Sequence, residues 1–167
     1  MDIKIEENFY KDIINAVPYP IFVKDRGHKW ILLNKAFCEF MGYKLDDLLG
    51  KSDYDFFPKK EADIFWEKDE EVFRNKKENI NEENFTDANG KTHIILTKKN
   101  IYINSNGQEI LVGIISDITD KKIIEQNLLE RNTELEKINS VMINRELKMQ
   151  ELKKRILELE KKYENSK

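Results

Sequence analysis

The sequence predicts an α+β domain, a five-stranded antiparallel sheet with helices on one face, followed by one long helix. Three observations carry this. Short β-branched runs are joined at Asp25-Arg26-Gly27, Asn89-Gly90 and Asn106-Gly107, as in hairpins. Between the second and third runs lies a long stretch of helical periodicity. Beyond Asp120 there is no Gly or Pro, and apolar residues recur at alternating spacings of three and four.

Taken in order, Phe9, Tyr10, Ile13, Ile14 and Val17 fall at helical spacing and are stopped by Pro18 and Pro20, which predicts a short amphipathic helix over Glu6 to Val17. Tyr19 to Lys24 and His28 to Asn34 read as paired strands, with Gly27 supplying a positive φ in the turn. Asn34 suits the cap of a helix that carries Phe37, Phe40 and Met41 and ends at Gly42. Leu45, Leu48 and Leu49 before Gly50 make a further helical turn. Pro58 then opens a helix to about Lys76, with Ala62, Phe65, Trp66, Val72 and Phe73 as its inward stripe. Strands are expected over Asn79 to Asp87, Lys91 to Ile103 and Gln108 to Thr119, through two type I′ Asn-Gly turns. The first of these three is polar enough to be an edge.

Asp69 lies within the inward stripe, three or four residues from Phe65, Trp66, Val72 and Phe73. Two roles fit a carboxylate there. It accepts hydrogen bonds from a neighbouring backbone or hydroxyl group, or it touches a ligand below the helix.

The composition, 40% hydrophobic and 37% charged with a net charge of -3, is that of a soluble globular chain. Acids outnumber bases up to Asp120 and bases outnumber acids after it, but neither half has the unrelieved basic stripe that nucleic acid requires. Tyr163 is the only aromatic residue after Asp120, so the core belongs to the first part. Lone Cys38 excludes an intrachain disulfide and reads as a small core hydrophobe. The start Met1-Asp2-Ile3-Lys4 does not read as a signal peptide, and no apolar run approaches the roughly 20 residues of a membrane span. The expectation is a cytoplasmic protein without membrane contact, or a cytoplasmic piece of a larger one. Neither a Ser-His-Asp or Cys-His arrangement nor a metal-ligand set is evident, so no enzyme is expected.

Pro20-Ile21-Phe22-Val23-Lys24-Asp25, Asn34-Lys35-Ala36-Phe37, Met41-Gly42-Tyr43, Leu49-Gly50-Lys51-Ser52 and Gly113-Ile114-Ile115-Ser116-Asp117-Ile118-Thr119, in that order, resemble a PAS domain, the sensor module that precedes many histidine kinases. The resemblance covers about Phe9 to Thr119. It implies a cavity between sheet and helices, with Phe37, Phe65, Trp66, Asp69, Phe73 and Phe85 as candidate ligand-binding residues. It also implies that Asp117 and Thr119 form the motif joining such domains to a coiled coil, although both are ordinary helix-capping residues too. The chain lacks the cysteine run of flavin-binding LOV members. It also has no His between Pro58 and Lys77 for haem, and His28 and His93 occupy positions where packing or solvated roles are usual. Neither haem nor covalent flavin is therefore expected, and the ligand, if one exists, is unidentified.

After Asp120 a continuous seam can be written: Ile124, Leu128, Arg131, Leu135, Ile138, Met142, Arg145, Met149, Leu152, Ile156, Leu159 and Tyr163. Such a helix, about 60 to 70 Å long, is too long to fold its seam onto the preceding domain and needs a partner, most simply a second copy in parallel. Arg131 and Arg145 either snorkel towards glutamates or loosen the pairing locally. Three regions are thus expected: an amphipathic helix over 1–18, the PAS domain over 19–120 and a coiled-coil helix over 121–167. The chain reads as a sensory module that signals through a homodimer to a separate effector such as a kinase or regulator. A ligand-free adaptor and the input fragment of a sensor histidine kinase are the alternatives. No effector motif is present.

Overall fold

The computed structural model describes residues 7–164 and the side chains of residues 9–162, so Met1 to Lys4 and the Tyr163 side chain lie outside the described residues. The chain divides into two units after Asp120.

In the first unit, helix α1 (Glu7–Ala16) precedes strands β1 (Ile21–Lys24) and β2 (Trp30–Leu33). Helices α2 (Lys35–Met41), α3 (Leu45–Leu48) and α4 (Lys59–Asn75) then cross to strands β3 (Asn79–Thr86), β4 (Thr92–Ile103) and β5 (Glu109–Asp117). The five strands form one sheet in the order β2-β1-β5-β4-β3, and every neighbouring pair is antiparallel. Polar β3 is an edge, as its sequence implies.

Strand alternation sends Phe22, Leu111, Ile115, Ile95 and Phe85 to the face that packs against Phe37, Met41, Ala62, Phe65, Val72 and Phe73 from the helices. Gly113 pairs with Phe22 across β1 and β5, and the Phe22 ring lies over its α-carbon. A side chain there has no room. Buried Asn34 ties the amino-terminal segment to this core. Its Oδ1 accepts from the Ile21 and Phe37 amides, and its Nδ2 donates to the Ile14, Val17 and Tyr19 carbonyls. Cys38 is partly buried against the same core, and burial pushes its thiol up.

The hairpins differ from the expectation in one instructive way. In all three, an Asx residue (Asp25, Asp87 or Asn104) accepts the amide three residues on at its carbonyl and the amide four residues on at its side chain. This is a three-residue loop, a tight turn closed by one left-handed residue, and the type I′ expectation is corrected. Gly90 and Gly107 are the left-handed residues of two of these turns, with φ of 78° and 76°; their Asn neighbours are not left-handed. In the first hairpin the left-handed residue is His28, with φ 59°, and Gly27 is not. Similarly, α4 begins after Pro58 as its cap residue and ends at left-handed Lys76.

Helix α5 begins at Thr119, at the end of the first unit, and runs to Glu164 as one unbroken helix whose part from Lys121 on is the second unit. Its seam residues Ile124, Leu128, Leu135, Ile138, Met142, Met149, Leu152, Ile156 and Leu159 are all close to half exposed or more in the single chain. No described helix is long and apolar enough to cross a membrane.

Candidate functional site

Between the sheet and α4 lies a cavity of about 30 Å³. Its apolar wall includes Phe22, Trp30, Phe37, Phe57, Phe65, Phe85, Ile95 and Ile115, and its polar wall is Lys24, Asp53, Glu83, Thr97 and Lys99. Strand geometry explains the second set. Ile95, Thr97 and Lys99 alternate along β4 and face one side, while Glu83 on β3 and Lys24 at the end of β1 join them there. Asp53 enters from the 3-10 turn Asp53–Asp55, which is closed by a capping box between Ser52 and Asp55.

Two buried lysines organise the charge. Lys24 Nζ is 2.5 Å from Asp53 Oδ2 and 2.7 Å from Asp69 Oδ2. Lys99 Nζ is 2.9 Å from Asp69 Oδ1, at ion-pair distance but without hydrogen-bond alignment, and 3.4 Å from Glu83 Oε1. Glu83 also accepts from the Thr97 hydroxyl at 3.0 Å. Asp69, with 0% exposure, is thus the one carboxylate shared by both ammonium groups.

Burial opposes each charge, and the partners decide the outcome. For Lys24, desolvation favours the neutral amine, but the charges of Asp53 and Asp69 outweigh it and hold the lysine above its ordinary value. For Asp69, desolvation is likewise overcome, by Lys24 and Lys99 together, and the carboxyl is held well below the usual range. For Asp53, desolvation wins over Lys24, and the carboxyl is pushed up. Of the two aspartates that hold Lys24, Asp53 is the readier to take a proton.

A second constellation lies behind this one. His28, 1% exposed, stacks on Trp66 with ring centroids 3.6 Å apart and meets the edge of Phe73. Its Nδ1 is 3.4 Å from Asp69 Oδ2 and its Nε2 is 2.8 Å from Glu70 Oε1. Both ring nitrogens thus face carboxylate oxygens. Arg26 makes a two-pronged bond to Glu70 and places its guanidinium 4.4 Å from the Phe73 ring centroid. Hydrogen bonds from Arg26 and then His28 bring Glu70 down to about 2.

The six residues proposed from the sequence for ligand contact therefore separate. Phe37, Phe65 and Phe85 line the cavity, whereas Trp66, Asp69 and Phe73 do not. Trp66 and Phe73 hold the β1–β2 turn against α4, and Asp69 stands behind the lysines. Neither role considered for Asp69 is the one observed, since its partners are Lys24, Lys99 and His28. Sequence reasoning missed Lys24, Asp53, Glu83, Thr97 and Lys99. A buried carboxylate on an apolar helix face was itself the signal that cations had to come from elsewhere in the chain. His28 packs on Trp66 and Phe73 and His93 on Phe40 and Phe85, in line with the packing role expected, and each ring also lies between two carboxylates. Among the described residues no group of three or more His, Cys, Asp or Glu side chains has a metal-binding arrangement.

At the end of β5, Asp117 Oδ1 accepts from the Thr119 amide at 2.9 Å and the Thr119 hydroxyl at 2.6 Å. Thr119 Oγ1 in turn accepts from the Ile94 amide at 2.9 Å, and His93 Nδ1 lies 2.8 Å from Asp117 Oδ2. Partial burial pulls the Asp117 carboxyl up, but the Thr119 bonds and then His93 hold it below its ordinary value. Asp117 thus accepts the first amide of α5, and Thr119, the first residue of that helix, is bonded to β4.

A family described as PAS fold matches residues 14–123. Among curated proteins, the uncharacterized protein y4lL of Sinorhizobium fredii (strain NBRC 101917 / NGR234) is 33% identical over 122 residues, which is 71% of this chain and 15% of that protein. The chain thus spans about 15% of the length of that relative. Among solved structures, an RNA-binding light-oxygen-voltage receptor aligns with a TM-score of 0.67 at 14% identity, over 80% of this chain and 39% of that one. The phage VqmA-DPO complex gives 0.57 at 25% identity, over 71% and 56%. A PAS domain from a two-component sensor histidine kinase gives 0.57 at 16% identity, over 68% and 97%. With the sheet order, the helical crossover and the Asp117–Thr119 junction already in place, the chain belongs to the PAS fold family.

Proposed function

We propose that the first unit is a sensory module whose cavity receives a small molecule, and that the outcome passes through the Asp117–Thr119 junction into α5, which pairs with a second copy. The observation that carries this reading is the position of β4. Ile95, Thr97 and Lys99 of this strand line the cavity, while His93 and Ile94 at its start contact Asp117 and Thr119. Any ligand that displaced Lys99 or Thr97 would act on the strand that anchors the junction. The phage VqmA likeness, solved as a complex with DPO, supports a reading in which the fold holds a second component.

The lining offers a compact molecule a polar edge of ammonium and carboxylate groups and an apolar face of Phe37, Phe65 and Phe85, and at about 30 Å³ the cavity has to widen to admit it. The reading assigns the chain no reaction, places it in the cytoplasm away from nucleic acid and membrane, and gives the signal to a separate kinase or regulator. Native mass spectrometry of untagged protein tests it, expecting a dimer that carries a small molecule or gains one from a metabolite extract. A dimer that gains nothing, with an unmoved thermal midpoint, supports the second reading, a ligand-free adaptor. That reading is favoured by the cavity volume of about 30 Å³, room for only one or two waters.

A further inference from the structure

The apolar stripe of α5 needs a partner, and two arginines interrupt it. Arg131 and Arg145 occupy equivalent positions two heptads apart, each where an apolar core residue stands in a regular seam. Their local surroundings differ. Glu134 lies three residues beyond Arg131, within reach on the same helix face. At three and four residues on either side of Arg145 stand Val141, Met142, Lys148 and Met149, so its own helix offers no acid at those positions. Glu146 is its immediate neighbour in sequence but points about 100° further round the helix.

In a parallel, in-register pair, a core residue of this class inserts into a hole formed by the preceding and following seam residues, its own counterpart and the residue just after that counterpart. For Arg145 those are Met142, Met149, Arg145 and Glu146 of the second copy. The neighbour it cannot use within one chain becomes its partner across the pair, twice by symmetry. The two outer flanking pairs of this register, Lys148 with Lys153 and Arg155 with Glu160, are opposite in sign of interaction and offset each other.

We infer that α5 docks against a second copy of itself in parallel and in register, and that reciprocal Arg145–Glu146 ion pairs specify this arrangement. This rests on the reading that α5 pairs with a second copy. An antiparallel arrangement sets Arg145 against an apolar seam residue, and a slip of one heptad sets it against Ile138 or Leu152.

The test uses the full chain in sedimentation equilibrium, with helicity checked by circular dichroism. Arg145→Glu and Glu146→Arg are each expected to weaken the dimer by about tenfold, and the double exchange is expected to restore it to within about threefold of wild type. In a Cys38→Ser background, Met142→Cys is expected to form a disulfide-linked dimer on oxidation, since only the parallel in-register pair sets this position against itself. A double exchange no stronger than the product of the two single changes, or the absence of that disulfide, overturns the inference while the dimer stands. A wild-type chain that stays monomeric at high micromolar concentration overturns the pairing reading itself.

Discussion

Glu70 takes its strongest hydrogen bond from Arg26 and a second from His28, so one α4 carboxylate holds two residues of the β1–β2 turn. Its folded value of about 2 lies below its ordinary 4.5, and the sign follows. Its stabilising contribution is fully present above about pH 4.5 and is lost as pH falls towards 2, because the unfolded chain takes up the proton first. Asp69, also held low, acts in the same direction, while raised Asp53 acts against both. Urea midpoints measured from pH 6 to pH 2.5 should fall on acidification, and Glu70→Gln should flatten the fall. An unchanged slope in Glu70→Gln would exclude this assignment.

His28 occupies a left-handed position that Gly90 and Gly107 take in the other two hairpins. Its conformation costs about 1 kcal/mol, which the stack on Trp66 and the two carboxylate contacts outweigh. His28→Ala loses the contacts and keeps the strain, for an expected loss of about 2–4 kcal/mol. His28→Gly loses the contacts and the strain together, so it should be the more stable of the two by about 1 kcal/mol. Equal unfolding midpoints for the two variants would show that the turn stores no strain.

The contrast between these residues shows what the chain discloses locally. Strand alternation, the Asn34 cap and the Gly42 stop concern residues within a few positions of one another, so the elements and the hairpin pairings were legible, whereas the pairing of β1 with distant β5 was not. Nor were Lys24 and Lys99. Lys24 closes an apolar run before a turn, and Lys99 lies in Thr97-Lys98-Lys99-Asn100, which resembles a solvated strand. Only the three-dimensional meeting of β1, β4 and α4 brings both to Asp69, and no local periodicity encodes that meeting. Alternation from Ile95 and Thr97 to Lys99 was the available clue.

The sharing of Asp69 makes the two acids near Lys24 unequal. Asp69→Asn weakens the charge opposite both buried ammonium groups and is expected to cost about 3–5 kcal/mol. Asp53→Asn leaves Lys24 paired with Asp69 and gives up a carboxylate that burial already disfavours, so its cost should stay below about 2 kcal/mol. Chemical denaturation of both variants at pH 7 checks the ranking, and the reverse order would refute the shared-acid account.

Gly113 is required by packing rather than by an unusual backbone angle. A β-carbon there would penetrate the Phe22 ring, whose edge atoms cannot retreat without disturbing Phe37. Gly113→Ala is expected to cost about 3 kcal/mol, and Phe22→Leu in the same chain should recover part of it. Strictly additive losses in thermal unfolding would show that the two positions do not compete for space.

Thr119 links helix and sheet through one hydroxyl that donates to Asp117 and accepts from the Ile94 amide. Thr119→Val keeps the shape and removes both bonds, leaving that amide at the start of β4 without an acceptor. Global stability should fall by about 1 kcal/mol. Exchange of the Ile94 amide should accelerate far more than that of Thr97 or Lys99 deeper in the strand, because the opening is local. Asp117→Ala removes the acceptor for Thr119 and the contact to His93 together, so it should accelerate the His93 and Ile94 region at least as much. Hydrogen exchange by nuclear magnetic resonance reads both. If protection along β4 fell uniformly, the junction would be an ordinary part of the global fold and could not be the point at which the strand releases α5.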